Sequence, residues 1–429
     1  MKWGVAIALV AALSGCGNKK RQRRTGDAAP VEPIALPNVD GGGGKSDEVE
    51  PNDGEDVAMP LALGAQIHGR IDPADSDADF FRIDVAQAGA LAIEVSAVDG
   101  TDLTLELHDS AGAVVAKSDR GGAKTKEGIP NWGVTPGRYI AVVRGKKPPA
   151  AKKPKRGAPA PAPTTTAPVL PYDITATVAP PAPNAEREPD DDRGTANDLI
   201  AGDPVTGYLG WTNDTDVWKL SLEAISAKNT LDLELSPVEG VVITAELSDG
   251  VGTVLATRKA PKGAGLVLRN LMPQLPPNAP PFHYLTIKGT PSNPESAYTL
   301  RVTAKNPEAD GELEPNDTLD KPMAFPVDRT VVHAHWSPGD VDCFAIAPDP
   351  AARTVEAIIE TPASADLSAE LYVDGKLAGK SEAKGKGTVE KVSANVPANG
   401  KAIVKVRGTD AGGEGAYDVK LVEGAPSAP

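Results

Sequence analysis

The pattern E-x-E-P-x-D is written three times in this chain, as "EVEPND" from Glu48, "EREPDD" from Glu186 and "ELEPND" from Glu312. Each copy is followed at a nearly constant distance by a D-x-D pair. From the second glutamate to the first aspartate of the pair the separations are 27, 26 and 26 residues, ending at Asp77, Asp214 and Asp340. A period this regular means that one unit is built three times, so the fold must be one that a third of the chain can complete. The 429 residues exceed what a single hydrophobic core organises, which agrees with several domains rather than one large enzyme core.

Beyond each D-x-D pair, apolar residues alternate with polar ones. The first repeat shows "FRIDV", "LAIEVSAV", "LTLELHD" and "AVVAKS"; the second "VWKLSL", "TLDLELSPV", "ITAELSD" and "TVLATR"; the third "CFAIAP", "TVEAIIE", "LSAELYVDG" and "KLAGKS". Period two is the signature of a strand with one buried face. Each repeat reads as closing with a hairpin whose last strand opens with tyrosine, at Tyr172, Tyr298 and Tyr417. In the first repeat the closing strand reads as one arm of a hairpin with "RYIAVVRG", and the basic Pro/Ala-rich residues 146–171 as an extended, disordered insertion in its loop. With 43 Gly and 41 Pro as turn formers and no helical period, seven or eight short strands per repeat give a sandwich of two sheets.

The N-terminus reads differently. A lysine, an apolar run from Val5 to Leu13 and small residues before Cys16 form a signal peptide over residues 1–15. "LSGC" resembles the bacterial lipobox, which implies a Cys16 that becomes the acylated N-terminus, and the Gly17 that follows implies delivery to the outer membrane. Residues 16–47 then read as a disordered tether with a basic cluster (Lys19, Lys20, Arg21, Arg23, Arg24) either against anionic headgroups or merely solvated. With Cys16 lipidated, Cys343 has no partner for an intramolecular disulfide. The net charge of −15 argues against nucleic acid as a partner, since that binding rests on Lys and Arg neutralising phosphates.

"EPND", the interval, D-x-D with a following aromatic, a "GRYIAVV" strand and the closing tyrosine strand resemble the bacterial pre-peptidase C-terminal domain, whose relatives include the collagen-binding domains of clostridial collagenases. The resemblance covers 48–178, 186–304 and 312–423. It is tightest in the first repeat. In the second, Asp190 stands for Asn and Trp218 for Phe; in the third, Cys343 takes an aromatic position. It implies an all-β chain of three tandem jelly-roll-like β-sandwich domains, secretion, calcium near the N-terminal edge of each sandwich, and no catalysis.

The ligand set that the resemblance implies is Glu48, Glu50, Asn52, Asp53, Asp77 and Asp79; Glu186, Glu188, Asp190, Asp191, Asp214 and Asp216; and Glu312, Glu314, Asn316, Asp317, Asp340 and Asp342. In an extended stretch the side chains of 48, 50 and 52 share a direction, and Asp77 and Asp79 supply an opposite arm. All-oxygen ligands suit Ca²⁺ rather than zinc or copper. The competing reading is that these acids are solvated turn residues whose recurrence only records duplication.

A catalytic reading finds neither H-E-x-x-H nor G-x-S-x-G, and no peptidase is written in the chain. Among five histidines, His333 and His335 alternate on one strand in a zinc-like way, but His68 holds the place of His333, which favours strand decoration. The expectation is therefore a non-enzyme. Two classes stay open: a lipid-anchored binding or adhesion protein of the cell envelope, reaching an envelope protein or a polysaccharide, and an accessory lipoprotein that spaces or scaffolds a partner such as a secreted peptidase. Exposed tryptophans among Trp132, Trp211 and Trp336 would favour the first.

Overall fold

The computed structural model describes residues 45–72, 77–146, 170–275, 278, 280–409 and 413–425. Cys16, the basic cluster and most of the tether lie outside the described residues, as does nearly all of the basic insertion. The described chain is all-β, in three repeats of the same two-sheet sandwich. No helix among the described residues is long and apolar enough to cross a membrane.

In the first repeat one sheet orders Lys45–Asp47, Gln66–Ile71, Leu170–Ala179, Gly89–Val95 and Glu127–Val134. The facing sheet orders Met59–Pro60, Ala78–Val85, Gly137–Gly145, Leu103–His108 and Val114–Ser118. The second repeat repeats this with Val205–Gly207, Tyr298–Lys305, Thr230–Leu235 and Leu266–Leu271 against Asn197–Leu199, Thr215–Ser221, Phe282–Thr290, Val242–Asp249 and Val254–Lys259. The third sets Val331–Trp336, Gly415–Gly424, Arg353–Glu360 and Glu390–Val396 against Met323–Ala324, Val341–Ile346, Ala402–Gly408, Leu367–Val373 and Lys376–Ser381.

Alternation decides what fills each core. Two residues beyond the second aspartate of each D-x-D, Phe81, Trp218 and Phe344 turn inward and are at most 1% exposed, each in the apolar cluster of its own sandwich. Cys343, one residue before Phe344, is fully buried, and burial pushes its thiol up to about 12.

Two expectations are corrected. No closing strand forms a hairpin with the strand before it: Phe282–Thr290 and Tyr298–Lys305 lie in different sheets, as do Ala402–Gly408 and Gly415–Gly424, and Leu170–Ala179 does not pair with Gly137–Gly145. It pairs with Gln66–Ile71 and Gly89–Val95, while Gly137–Gly145 pairs with Ala78–Val85 and Leu103–His108 in the facing sheet. Both strands are flanked on each side, so neither has a free edge for the other, and the insertion leaves a connection that changes sheets. Its assigned limits also shrink at both ends: Leu170 and Pro171 belong to the closing strand, and the Lys146 ammonium reaches Asp102 at 3.0 Å. The tether also ends earlier than read, because Lys45–Asp47 pairs in parallel with Gln66–Ile71 and extends that sheet.

The tryptophans are not exposed hooks. Trp132, Trp211 and Trp336 are 8%, 5% and 1% exposed. Trp336 packs in the core of its own sandwich, whereas Trp211 crosses to the first and meets Trp132 edge-on, with ring centroids 5.8 Å apart.

Candidate metal centres

Each E-x-E-P-x-D copy enters its sandwich beside the strand that carries D-x-D. The motif residues form no regular strand there, and the Glu-Pro bond is cis in all three copies: Glu50-Pro51, Glu188-Pro189 and Glu314-Pro315. The carboxylate of the second glutamate instead folds back to accept the backbone N–H two residues on, as Glu50 with Asn52 (2.9 Å), Glu188 with Asp190 (3.0 Å) and Glu314 with Asn316 (2.7 Å). The first glutamate is held by a backbone N–H of the neighbouring strand or the turn after it, as Glu48 by Arg70 (2.6 Å), Glu186 by Tyr208 (3.0 Å) and Glu312 by His335 (3.0 Å).

The second aspartate of D-x-D completes each group. Oxygens that lie within 4.8 Å of one another come from Glu48, Glu50 and Asp79; from Glu186, Glu188, Asp190 and Asp216; and from Glu312, Glu314 and Asp342. The closing-strand tyrosine supports that aspartate every time, its hydroxyl donating to Asp79, Asp216 or Asp342 from Tyr172, Tyr298 or Tyr417. In the second repeat the same hydroxyl accepts the Trp218 indole N–H at 2.8 Å. A glycine makes room for it: a Cβ on Gly207 would lie 2.4 Å from the Tyr298 hydroxyl. These tyrosines were visible in the sequence only as strand markers; their recurrence was the signal, but their partner was not.

The rest of the implied ligand set divides. Asp53, Asp77, Asp191 and Asp214 lie outside these groups. Asp77 accepts the Asp72 N–H (2.7 Å), and Asp214 the Gly210 N–H. Asp317 and Asp340 form a further group with Glu314, and that group already has a cation. Arg258, which is 4% exposed and comes from the second repeat, donates to Asp317 (3.2 Å), Glu314 (3.3 Å) and Asp340. Asn131 of the first repeat likewise crosses to the second, its amide donating to Glu186. Neither residue was foreseen, because nothing in a linear repeat says which neighbour a surface side chain meets.

All three groups hold buried oxygens that are incompletely satisfied; the second and third are buried throughout, whereas in the first Glu48 is half-buried and Glu50 exposed. Asn52 is fully buried with neither side-chain atom partnered, and buried oxygens of Glu48, Asp79, Glu188, Asp190, Asp216, Asn316 and Asp342 also lack a partner. Buried polar atoms without partners are costly and rare. Desolvation, reinforced by neighbouring carboxylates, pushes Glu48 up to about 7, Asp79 to about 8, Asp190 to about 8 and Glu188 to about 11. In the third repeat desolvation also raises Asp340, but the Arg258 guanidinium opposes it and holds the group to about 6. These clusters of buried oxygens have the composition and spacing to hold a metal ion.

The histidines do not join them. His333 pairs across the sheet with Asp418 (2.7 Å) and His68 with Asp173, the same contact in two repeats, and no histidine enters a metal-holding group among the described residues.

No family model and no curated protein matches the chain. Similar solved structures include the pre-peptidase C-terminal domain of a collagenase from Bacillus anthracis, 18% identical over 30% of this chain and 100% of that one, with a TM-score of 0.20. A protein of Eubacterium rectale described as secreted is 10% identical over 59% of this chain and 81% of its own, with a TM-score of 0.19. The PBSX exported protein XepA is 12% identical over 51% and 86%, with a TM-score of 0.17.

Proposed function

We propose that this chain is a non-catalytic, lipid-anchored protein of the bacterial envelope whose sandwiches are stabilised by calcium and which spaces or scaffolds a partner. The observation that carries the calcium reading is the set of buried oxygens without partners in these groups; among the described residues only the third has one of its carboxylates, Glu314, already paired with a guanidinium. Glu48, Glu50, Asn52 and Asp79 would hold one ion, and Glu186, Glu188, Asp190 and Asp216 another. All donors are oxygens, several are carboxylates, and no thiolate or imidazole is among them, which suits Ca²⁺ over softer ions. A bound divalent cation would offset the repulsion between gathered carboxylates and satisfy their free lone pairs.

Spacing is favoured over adhesion because the repeats are bonded to one another. The Glu188 carbonyl accepts the Gly133 N–H (3.1 Å), and the Glu314 carbonyl accepts the Met272 N–H (2.7 Å), so the second and third acidic motifs are also joints to the sandwich before them. The tryptophans that would supply a sugar- or collagen-binding face are buried. The envelope location rests on the lipobox-like "LSGC" and the signal-like run before it.

Two experiments test the reading. Calcium chloride, but not an equal concentration of magnesium chloride, should raise the melting temperature of the chelator-treated chain, and Glu50→Gln with Asp79→Asn should reduce the shift. A melt unmoved at millimolar calcium contradicts the calcium reading. Cys16→Ser should abolish labelling with a palmitate analogue and release the protein from membranes; unchanged retention contradicts the anchor.

A further inference from the structure

Sheet register makes the three repeats comparable residue by residue. Asp79 pairs with Val143, Val143 with Leu105 and Leu105 with Ser118. The same path in the second repeat runs Asp216, Ile287, Ala245, Arg258, and in the third Asp342, Val406, Ala369, Ser381. Arg258 therefore stands where the other repeats have serine. In those repeats the serine has a local partner, since Ser118 donates to Glu127 (2.6 Å) and Ser381 to Glu390. The position of those glutamates is found in the same way: Glu127 lies opposite Val95, Glu390 opposite Ile359, and Leu266 opposite Leu235. The second repeat has thus exchanged a Ser–Glu pair for Arg258 and Leu266, and the arginine, without a glutamate of its own, reaches the carboxylates of the next sandwich.

The two joints are otherwise built alike, each with a motif carbonyl that accepts an N–H from the preceding repeat. Only the third cluster receives a charge of opposite sign. Among the described residues no Lys or Arg forms an ion pair with Glu186, Glu188, Asp190, Asp214 or Asp216, whereas Arg258 contacts Glu314, Asp317 and Asp340 together. Of the Glu312, Glu314 and Asp342 group the guanidinium contacts Glu314 alone: one oxygen of Glu314 accepts the Asn316 N–H and the other accepts from Arg258, whereas in Glu188 the second oxygen has no partner.

We propose that Arg258, paired with Asp317 and Asp340 beside the group of Glu312, Glu314 and Asp342, takes from that group the Glu314 carboxylate whose counterparts Glu50 and Glu188 would serve calcium, so that the chain binds two calcium ions rather than three and closes its last joint without metal. This rests on the calcium reading above for the first two clusters, and the tests separate the two. Titration calorimetry of the chelator-treated full chain with calcium chloride should count two ions for the wild type, two for Arg258→Lys and three for Arg258→Gln. Three ions in the wild type, or two in Arg258→Gln, would overturn the inference while leaving calcium binding intact. No ion in any of them overturns the calcium reading and the proposed exclusion of metal by the arginine with it. Whether Arg258 acts as a counter-ion is read separately, in chelator. There Arg258→Gln should lower the melting temperature by roughly 10 °C, since removing one partner of a buried ion pair is strongly destabilising. Adding Glu314→Gln and Asp340→Asn should recover most of that loss; no recovery would mean that the arginine only fills space. Should Arg258→Gln not fold, the wild-type count decides alone, three ions overturning the proposal and two upholding it.

Discussion

The second and third acidic clusters share a backbone frame and a motif, yet they handle charge in opposite ways. In the second, four buried carboxyl groups face one another with an uncharged amide, Asn131, as the contribution of the preceding sandwich. In the third, the preceding sandwich contributes Arg258. The difference teaches that a repeated motif need not repeat its chemistry. What neutralises an acidic cluster depends on a side chain of the previous repeat, far away in sequence and outside the motif. On the calcium reading proposed above, the second cluster depends on metal and the third on the integrity of its neighbour.

The comparison can be broken first at the joint between the first two sandwiches. A Cβ on Gly133 would lie 2.0 Å from the Glu188 carbonyl oxygen, a contact with backbone that cannot swing aside. Gly133→Val should therefore open this joint, cost about 3 kcal/mol in a chemical melt, and expose residues 179–185 to limited proteolysis. At the other joint Met272 fills the corresponding role and carries a side chain already.

A smaller effect is expected from Tyr298→Phe, which leaves Asp216 without its hydroxyl donor and Trp218 without its acceptor. The loss should be about 1–3 kcal/mol for buried partners left unsatisfied. It should be larger in chelator than in calcium if the cation also holds Asp216.

The pH dependence should be graded in the same sense. Asp190 and Asp79 are raised from an ordinary value of 3.8 to about 8, so the folded chain binds protons more tightly than the unfolded one. Their favourable contribution is complete below the unfolded value and lost as pH rises through the folded one. Melting in chelator should therefore fall between pH 4 and pH 8, roughly the span between those values. Calcium requires deprotonated ligands, so its stabilising shift should grow over the same span. Asp340, held to about 6 by Arg258, should finish its share earlier. The smallest effect belongs to His333→Ala, which removes an exposed pair with Asp418 and should change stability by no more than about 0.5 kcal/mol, with the calcium count unchanged.

Much of this architecture was legible in the sequence, for identifiable reasons. Period-two alternation marked Ala78–Val85, Leu103–His108 and their counterparts because each buries one face, and the fixed interval between motif and D-x-D survived because both arms close on one site. The sheet change before Leu170–Ala179 was not legible, since alternation says which face is buried but not which sheet a strand joins. At the clusters, the structure brings together the glutamates and the second aspartate of the implied set, whereas Asp53, Asp77, Asp191 and Asp214 stand outside those groups. Tyr172, Tyr298 and Tyr417 were seen as strand openers without their hydrogen bonds. Arg258 was invisible because its meaning lies in register: only alignment through three paired strands shows that it replaces Ser118 and Ser381.

The most direct test is a crystal structure of the chain grown in calcium chloride, with anomalous differences used to locate the ions. The account predicts peaks among Glu48, Glu50, Asn52 and Asp79 and among Glu186, Glu188, Asp190 and Asp216, with the Arg258 guanidinium still between Glu314, Asp317 and Asp340. An ion at the third cluster with Arg258 displaced, or bare carboxylates at the first two, would contradict it.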